Sequence, residues 1–182
     1  NKMILAVSLI ACILISLLIA VVTGYFIRSA SLKKWEELPR KRGAGAVLGL
    51  LALLFFIPNV EPMFSAKENL TVLVIAAIVL TVLCYLYLDY LFSRAFAGAL
   101  ILIAHFMLNA SYAADLKFSS FFAFMCFVVG TIGIFISAKP HWMRDWIRKI
   151  AASTKWRIVS TAVPLLFAIA SLILVIQLKG VL

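Results

Sequence analysis

His105 and Asn109 are strongly polar side chains near the middle of an otherwise apolar run. Four residues apart on a helix, they share a face with Gly98 and Tyr112. An imidazole in that setting can ligate haem iron or hydrogen-bond a quinone. With Asn109 and Tyr112 it can also line a polar path through a membrane. The commoner use of such residues is hydrogen bonding to neighbouring helices. Bis-histidine haem needs a second buried histidine, and His141 falls in a basic loop instead. Haem or a quinone at His105 is therefore the group to consider, and no cofactor is expected.

Other polar residues fit anchoring better than chemistry. Asp89 and Arg94 interrupt one long apolar stretch. They flank an expected hairpin near Ser93, where an ion pair between them or headgroup contact would relieve their charge. A cation or proton site at that mouth is the functional alternative. Glu61 and Glu68 bracket another connection and read as solvated charges, with a binding carboxylate between two prolines as the alternative for Glu61. Cys12, Cys84 and Cys126 lie in separate apolar runs, with no Cys/His spacing suited to a metal. They read as small apolar packers. Gly45 and Gly49 form GxxxG, and Gly130 and Gly133 add small residues that let helices approach closely. The chain has no nucleotide-binding loop, no HExxH and no GxSxG.

Pro140 to Ala151 has the pattern of an amphipathic helix lying at the membrane surface. Pro140 suits the first turn. Trp142, Trp146, Ile147 and Ile150 share one face. Arg144, Asp145, Arg148 and Lys149 occupy the other. Such a helix buries its aromatic face at the acyl boundary and attracts anionic lipid; it reads as a connector resting on the bilayer, with a docking surface for a partner or a specific lipid as the functional alternative.

The elements that must position these residues follow from composition. The chain has 182 residues, 65% hydrophobic and 13% charged, with a mean hydropathy of +1.14. A soluble domain is about half apolar and about a quarter charged. That difference excludes a soluble globule, a disordered chain, a nucleic-acid module and a disulfide scaffold. A span needs about 20 apolar residues, and its backbone must pair within itself. Six stretches qualify: 3–27, 43–63, 70–92, 95–114, 118–138 and 158–178. In the second, Pro58 is expected to kink or end the helix. The expectation is one all-α domain over 1–182: a polytopic bundle of six transmembrane helices plus a cytoplasmic interfacial helix at 140–151.

Charge orients it. The loop 28–42 holds Arg28, Lys33, Lys34, Arg40, Lys41 and Arg42. The loop 139–157 holds Lys139, Arg144, Arg148, Lys149, Lys155 and Arg157. With six spans these loops and Arg94 share one side, and only Lys2, Lys67, Lys117 and Lys179 fall on the other. Short basic loops stay in the cytoplasm, so both termini are expected outside. All four tryptophans, Trp35, Trp142, Trp146 and Trp156, lie in the two basic loops. Trp favours the headgroup level.

Three stretches carry a resemblance: LPRKRGAGAVLGLLALLFF from Leu38, LDYLFSRAFAGALILIAHFMLNAS, and GIFISAKPHWMRDWIRKI. A basic Pro-Arg loop enters a Gly-rich span. An Arg-Ala-x-x-Gly entry then leads an apolar helix, and a Pro-x-x-x-Arg-Asp amphipathic exit follows. About half the chain resembles uncharacterised bacterial polytopic inner-membrane proteins. That resemblance implies a bacterial inner membrane and no particular activity.

The leading expectation is a non-catalytic membrane subunit or scaffold. It would pack with partner membrane proteins or with itself through small-residue faces and the Trp142/Trp146 helix. Anionic lipid or a cytoplasmic protein would be held at Arg40, Lys41, Arg42, Arg144, Arg148 and Lys149. A small oligomeric transporter or channel lined around His105 and Asn109 is the alternative. A redox subunit with haem or quinone at His105 is the third. No nucleic-acid partner and no metal are expected.

Overall fold

The computed structural model describes residues 2–27, 32–60, 69–113 and 119–180. These residues are 95% helical and contain no strand. The expected loop charges Arg28, Glu61, Lys67, Glu68 and Lys117 lie outside the described residues, as does Pro62.

The chain forms α1 (Lys2–Val21), α2 (Leu32–Glu37), α3 (Arg42–Val60), α4 (Asn69–Tyr87), α5 (Leu91–Ala113), α6 (Ser119–Ala138), α7 (His141–Ala152) and α8 (Thr154–Gly180). A π-helical turn at Val22–Phe26 extends α1, and a 3₁₀ turn at Leu38–Arg40 joins α2 to α3. Four helices are long and apolar enough to cross a membrane: Ala6–Phe26, Leu91–Asn109, Ser120–Ala138 and Thr154–Leu178. The expected spans 43–63 and 70–92 correspond to shorter apolar stretches, Arg42–Ile57 and Thr71–Tyr87, among the described residues. Pro58 does not end its helix, because α3 continues to Val60.

Large apolar side chains point outward from these helices, including Val72, Ile75, Phe127, Ile134 and Ile176. In water such exposure would be costly, whereas hydrocarbon makes it neutral. What must hold the helices together is close packing. α5 packs on α6 and on α3, α1 packs on α8, and α4 leans on α3. Small residues permit the closest approaches. A Cβ on Gly45 would lie 2.4 Å from the Phe92 amide nitrogen, and one on Gly133 would lie 2.9 Å from the Ala97 carbonyl oxygen. Gly49 and Gly130 meet Ala95 and Ala104 at ordinary contact distance. The GxxxG face is thus taken up between α3 and α5, and the Gly130/Gly133 face between α6 and α5.

The main core gathers Leu9 and Cys12 of α1, Met107 of α5, Phe122, Met125 and Cys126 of α6, and Phe167 and Leu174 of α8. The Phe122 and Phe167 rings stack at 5.7 Å. No cysteine is bridged, in line with the packing role expected of Cys12 and Cys126.

The connection between α4 and α5 is displaced from its expected place near Ser93. It turns at Leu88–Tyr90, and Tyr90 adopts φ 57°. A left-handed tyrosine carries no Gly or Asn marker, so the sequence pattern does not reveal it. Ser93 instead lies inside α5, fully buried, and its Oγ donates to the Pro140 carbonyl at 3.1 Å. Asp89 pairs with Arg42 rather than Arg94: Arg42 Nη2 donates to Asp89 Oδ1 at 3.0 Å.

Candidate functional site

One end of the bundle collects the basic residues. The end of α1, the start of α3, the α4–α5 turn, the end of α6 and the start of α8 meet there, with α2 and α7 laid across them. The two basic loops are far apart in sequence but are joined physically. Ile27, Ile147, Ile150 and Ala151 form a buried cluster, with Val22, Leu32, Trp35, Met143 and Trp146 packed around it. Arg148 pairs with Glu36 across this junction.

α7 runs His141–Ala152, within a residue of the expected interfacial helix, with Pro140 at its N-cap. Its apolar face is not free. Met143, Trp146, Ile147 and Ile150 pack on α2 and on the end of α1. Trp142 leaves that face. It is exposed, stacks on Phe135 of α6 at 5.9 Å, and lies beneath Lys139 Nζ at 5.0 Å. Helical spacing groups Trp142 with Trp146 only loosely, and Met143 takes the inward place. The Trp146 indole Nε1 donates to Ser160 Oγ at 2.8 Å, tying α7 to α8.

The cations that remain face outward. Arg40, Lys41, Arg42, Arg148 and Lys149 are exposed, and Arg144 is half-buried. Arg40 donates to the Tyr90 hydroxyl from Nη2 at 3.0 Å, and its guanidinium lies 5.2 Å from the ring centroid. That hydrogen bond raises the Arg40 pKa further above its ordinary value. Lys149 Nζ lies 5.2 Å from the Trp156 ring centroid. Two guanidinium nitrogens, the Nε atoms of Arg144 and Arg157, are buried without a hydrogen-bond partner among the described residues. Arg144 Nε is 3.8 Å from Asp145 Oδ1, beyond hydrogen-bond range.

Beneath α2 and α7 lies a cavity of about 290 Å³. Its walls come from α1, α5, α6 and α8, and its roof from Trp35, Leu38, Met143, Trp146, Ile147 and Ile150. No sequence signal announces it. A void of this kind depends on how helices sit against one another, and each wall residue alone is an ordinary apolar side chain. A second void, about 190 Å³, lies between α3, α4 and α5 with Gly45, Gly49, Gly98 and Arg94 at its edge.

His105 and Asn109 lie elsewhere. Both are exposed on the outer surface of α5, and neither lines the cavities beneath α7 or beside α3. The Asn109 amide donates to His105 Nε2 at 3.0 Å. The imidazole faces Phe56 of α3, with ring centroids 6.1 Å apart. Tyr112 is exposed on the same helix. A channel lining or a cofactor built on this face needs a second molecule to enclose it. Among the described residues no group of three or more His, Cys, Asp or Glu side chains could hold a metal. No protein-family model, curated protein or solved structure matches the chain, and the functional reading rests on this geometry.

Proposed function

We propose that the chain is a non-catalytic integral subunit or scaffold of the bacterial inner membrane. It crosses the bilayer six times with both termini outside, and its basic, Trp-rich cytoplasmic end holds anionic lipid headgroups. The observation that carries this reading is the joining of residues 32–42 and 139–157 into one plate. The plate's apolar side is consumed by the bundle, and its cations face outward. A plate with its greasy side already covered is suited to hold charge at the membrane surface. Trp142 and Trp156, exposed beside Lys139 and Lys149, are placed to lie at headgroup level.

Six crossings are supported by length. α3 and α4 have 19 residues each, or about 28 Å of rise, close to the hydrocarbon thickness of about 30 Å. The subunit half of the reading draws on His105 and Asn109. A polar pair on the outside of an apolar helix is a place where a partner helix gains hydrogen bonds that lipid cannot offer.

Lipid analysis of the protein purified in mild detergent tests the reading. Acidic phospholipid should be enriched over its share of the source membrane. Lys34→Gln, Lys41→Gln and Lys149→Gln together should remove that enrichment. A bound-lipid profile that mirrors the bulk membrane, unchanged in the triple variant, rejects it.

A further inference from the structure

The cavity beneath α7 has a depth, a lining and an opening that together select one kind of ligand. Along α1 it extends from Cys12 to Ile27, and along α5 from Phe92 to Ile103. The eleven-residue interval on α5 rises about 16 Å, roughly half of a hydrocarbon core of about 30 Å. The fifteen-residue interval along α1 and its π-helical extension is longer, about 22 Å, so the cavity lies mainly in the half of the bundle next to the basic plate.

Its lining offers nothing to a polar solute. Thr23 donates its hydroxyl to the Ile19 carbonyl at 2.9 Å. Ser160 Oγ takes the Trp146 indole proton. Ser16, Cys12 and Trp35 also line it, and the remaining walls are aliphatic and aromatic, such as Ile19, Leu100, Ile132 and Val163. An apolar void excludes water, and leaving it empty forfeits packing.

The opening is sideways. Ile15 and Leu18 line the cavity yet are 46% and 63% exposed, so α1 does not seal it from the surrounding lipid. α1 packs chiefly on α8 and α5 chiefly on α6 and α3, and the cavity lies between these two blocks.

Above the roof lie two arginines, one of them, Arg144, 3.8 Å from the Asp145 carboxylate. Arg157 lies one turn before Ser160 and two turns before Pro164, on the cavity face of α8. Arg144 follows Met143 in α7; both arginines lie above the cavity and do not themselves line it. The Nε atoms of both arginines are buried and unpartnered among the described residues. Both arginines keep part of their surface exposed, and there they can make charge-assisted hydrogen bonds to a phosphate.

We infer that this cavity holds an acyl chain of a phospholipid from the adjacent leaflet, entering past Ile15 and Leu18, with its anionic headgroup at Arg144 and Arg157. The inference deepens the lipid-holding reading above and rests on it for the choice of an acidic head.

The test uses the intact protein in nanodiscs with phosphatidylglycerol carrying a diazirine in its acyl chain. Phosphatidylcholine with the same chain serves as the comparison. Mass spectrometry of the irradiated protein should place phosphatidylglycerol adducts on Ile19, Leu100 and Val163, with far fewer from phosphatidylcholine. Val163→Trp should abolish those adducts while labelling of the exposed belt, such as Val72 and Phe127, persists. Arg144→Gln with Arg157→Gln should erase the preference for phosphatidylglycerol. Wild-type adducts confined to the exposed belt overturn the cavity site whether or not the tryptophan variant folds. Equal cavity labelling by both lipids overturns the headgroup contact. Cavity adducts without any enrichment of acidic lipid on the purified protein reject the plate reading and leave the chain site standing.

Discussion

Gly45 lies against the backbone of Phe92 so closely that a Cβ at position 45 would come within 2.4 Å of the Phe92 amide nitrogen and 2.6 Å of the Leu91 carbonyl carbon. Backbone cannot swing aside as a side chain can. Gly45→Ala should therefore force α3 away from α5 and destabilise the protein by about 1–3 kcal/mol. Gly43 meets nothing within 4 Å, so Gly43→Ala should be neutral or stabilising by up to about 1 kcal/mol through helix propensity. Unfolding in mixed micelles separates the two, and equal effects would show that α3 does not sit against α5 in this register.

Tyr90 holds a left-handed backbone at the α4–α5 turn. Tyr90→Ala and Tyr90→Gly both delete the hydroxyl that Arg40 contacts, but only glycine adopts φ 57° without steric cost. The glycine variant should be more stable than the alanine variant by about 1–2 kcal/mol. Thermal unfolding of the pair measures this, and an alanine variant as stable as the glycine one would rule out the strained turn.

Trp146 and Ser160 are coupled across the α7–α8 junction. Ser160→Ala leaves the indole N–H unpaired, and Trp146→Phe removes the same bond, so each should cost about 1 kcal/mol or more. Together they should cost clearly less than their sum, because the bond can be lost only once. Strict additivity in a double-mutant cycle would show that the contact does not contribute.

These relationships differ in how far the amino-acid pattern announces them. Runs such as Ser120–Ala138 are apolar on every side, and a bilayer permits only a helix there, so the main spans are legible. The helix after Pro140 is legible because charge and apolarity alternate at helical spacing. The turn at Tyr90 is not, because a tyrosine in that conformation is held by its surroundings. The inward choice of Met143 over Trp142 is likewise decided by α2, and nothing local to α7 encodes it. The cavity and the Arg42–Asp89 pair arise from contacts between elements remote in sequence.

Topology can be checked by single cysteines and a membrane-impermeant maleimide in intact cells. Cysteines replacing Lys34 and Lys149 should both be protected until the membrane is permeabilised. That pair alone does not decide whether α3 and α4 cross, since removing two spans keeps both sites on one side. Lys67→Cys decides it. Six crossings place position 67 outside, where it should react in intact cells, whereas protection there would reduce the count to four.

His105 and Asn109 face outward, and that placement predicts opposite effects in two settings. In the isolated chain, His105→Leu with Asn109→Leu should be neutral or mildly stabilising, because two polar groups leave an apolar surface. In native membranes the same change should reduce co-purification of a partner or of a second, differently tagged copy. Severe destabilisation of the isolated chain would instead mean that the pair packs inside the bundle.

The pairing of α1 with α8 also fixes an order of events during synthesis. α8 begins 133 residues after α1 ends, so at about 5–20 residues per second α1 waits on the order of 7–27 s for its mate. α5 and α6 are consecutive in sequence and can dock well before then. A wall of the cavity is therefore missing until α8 has been made, and whatever fills that space must arrive after α8 joins α1.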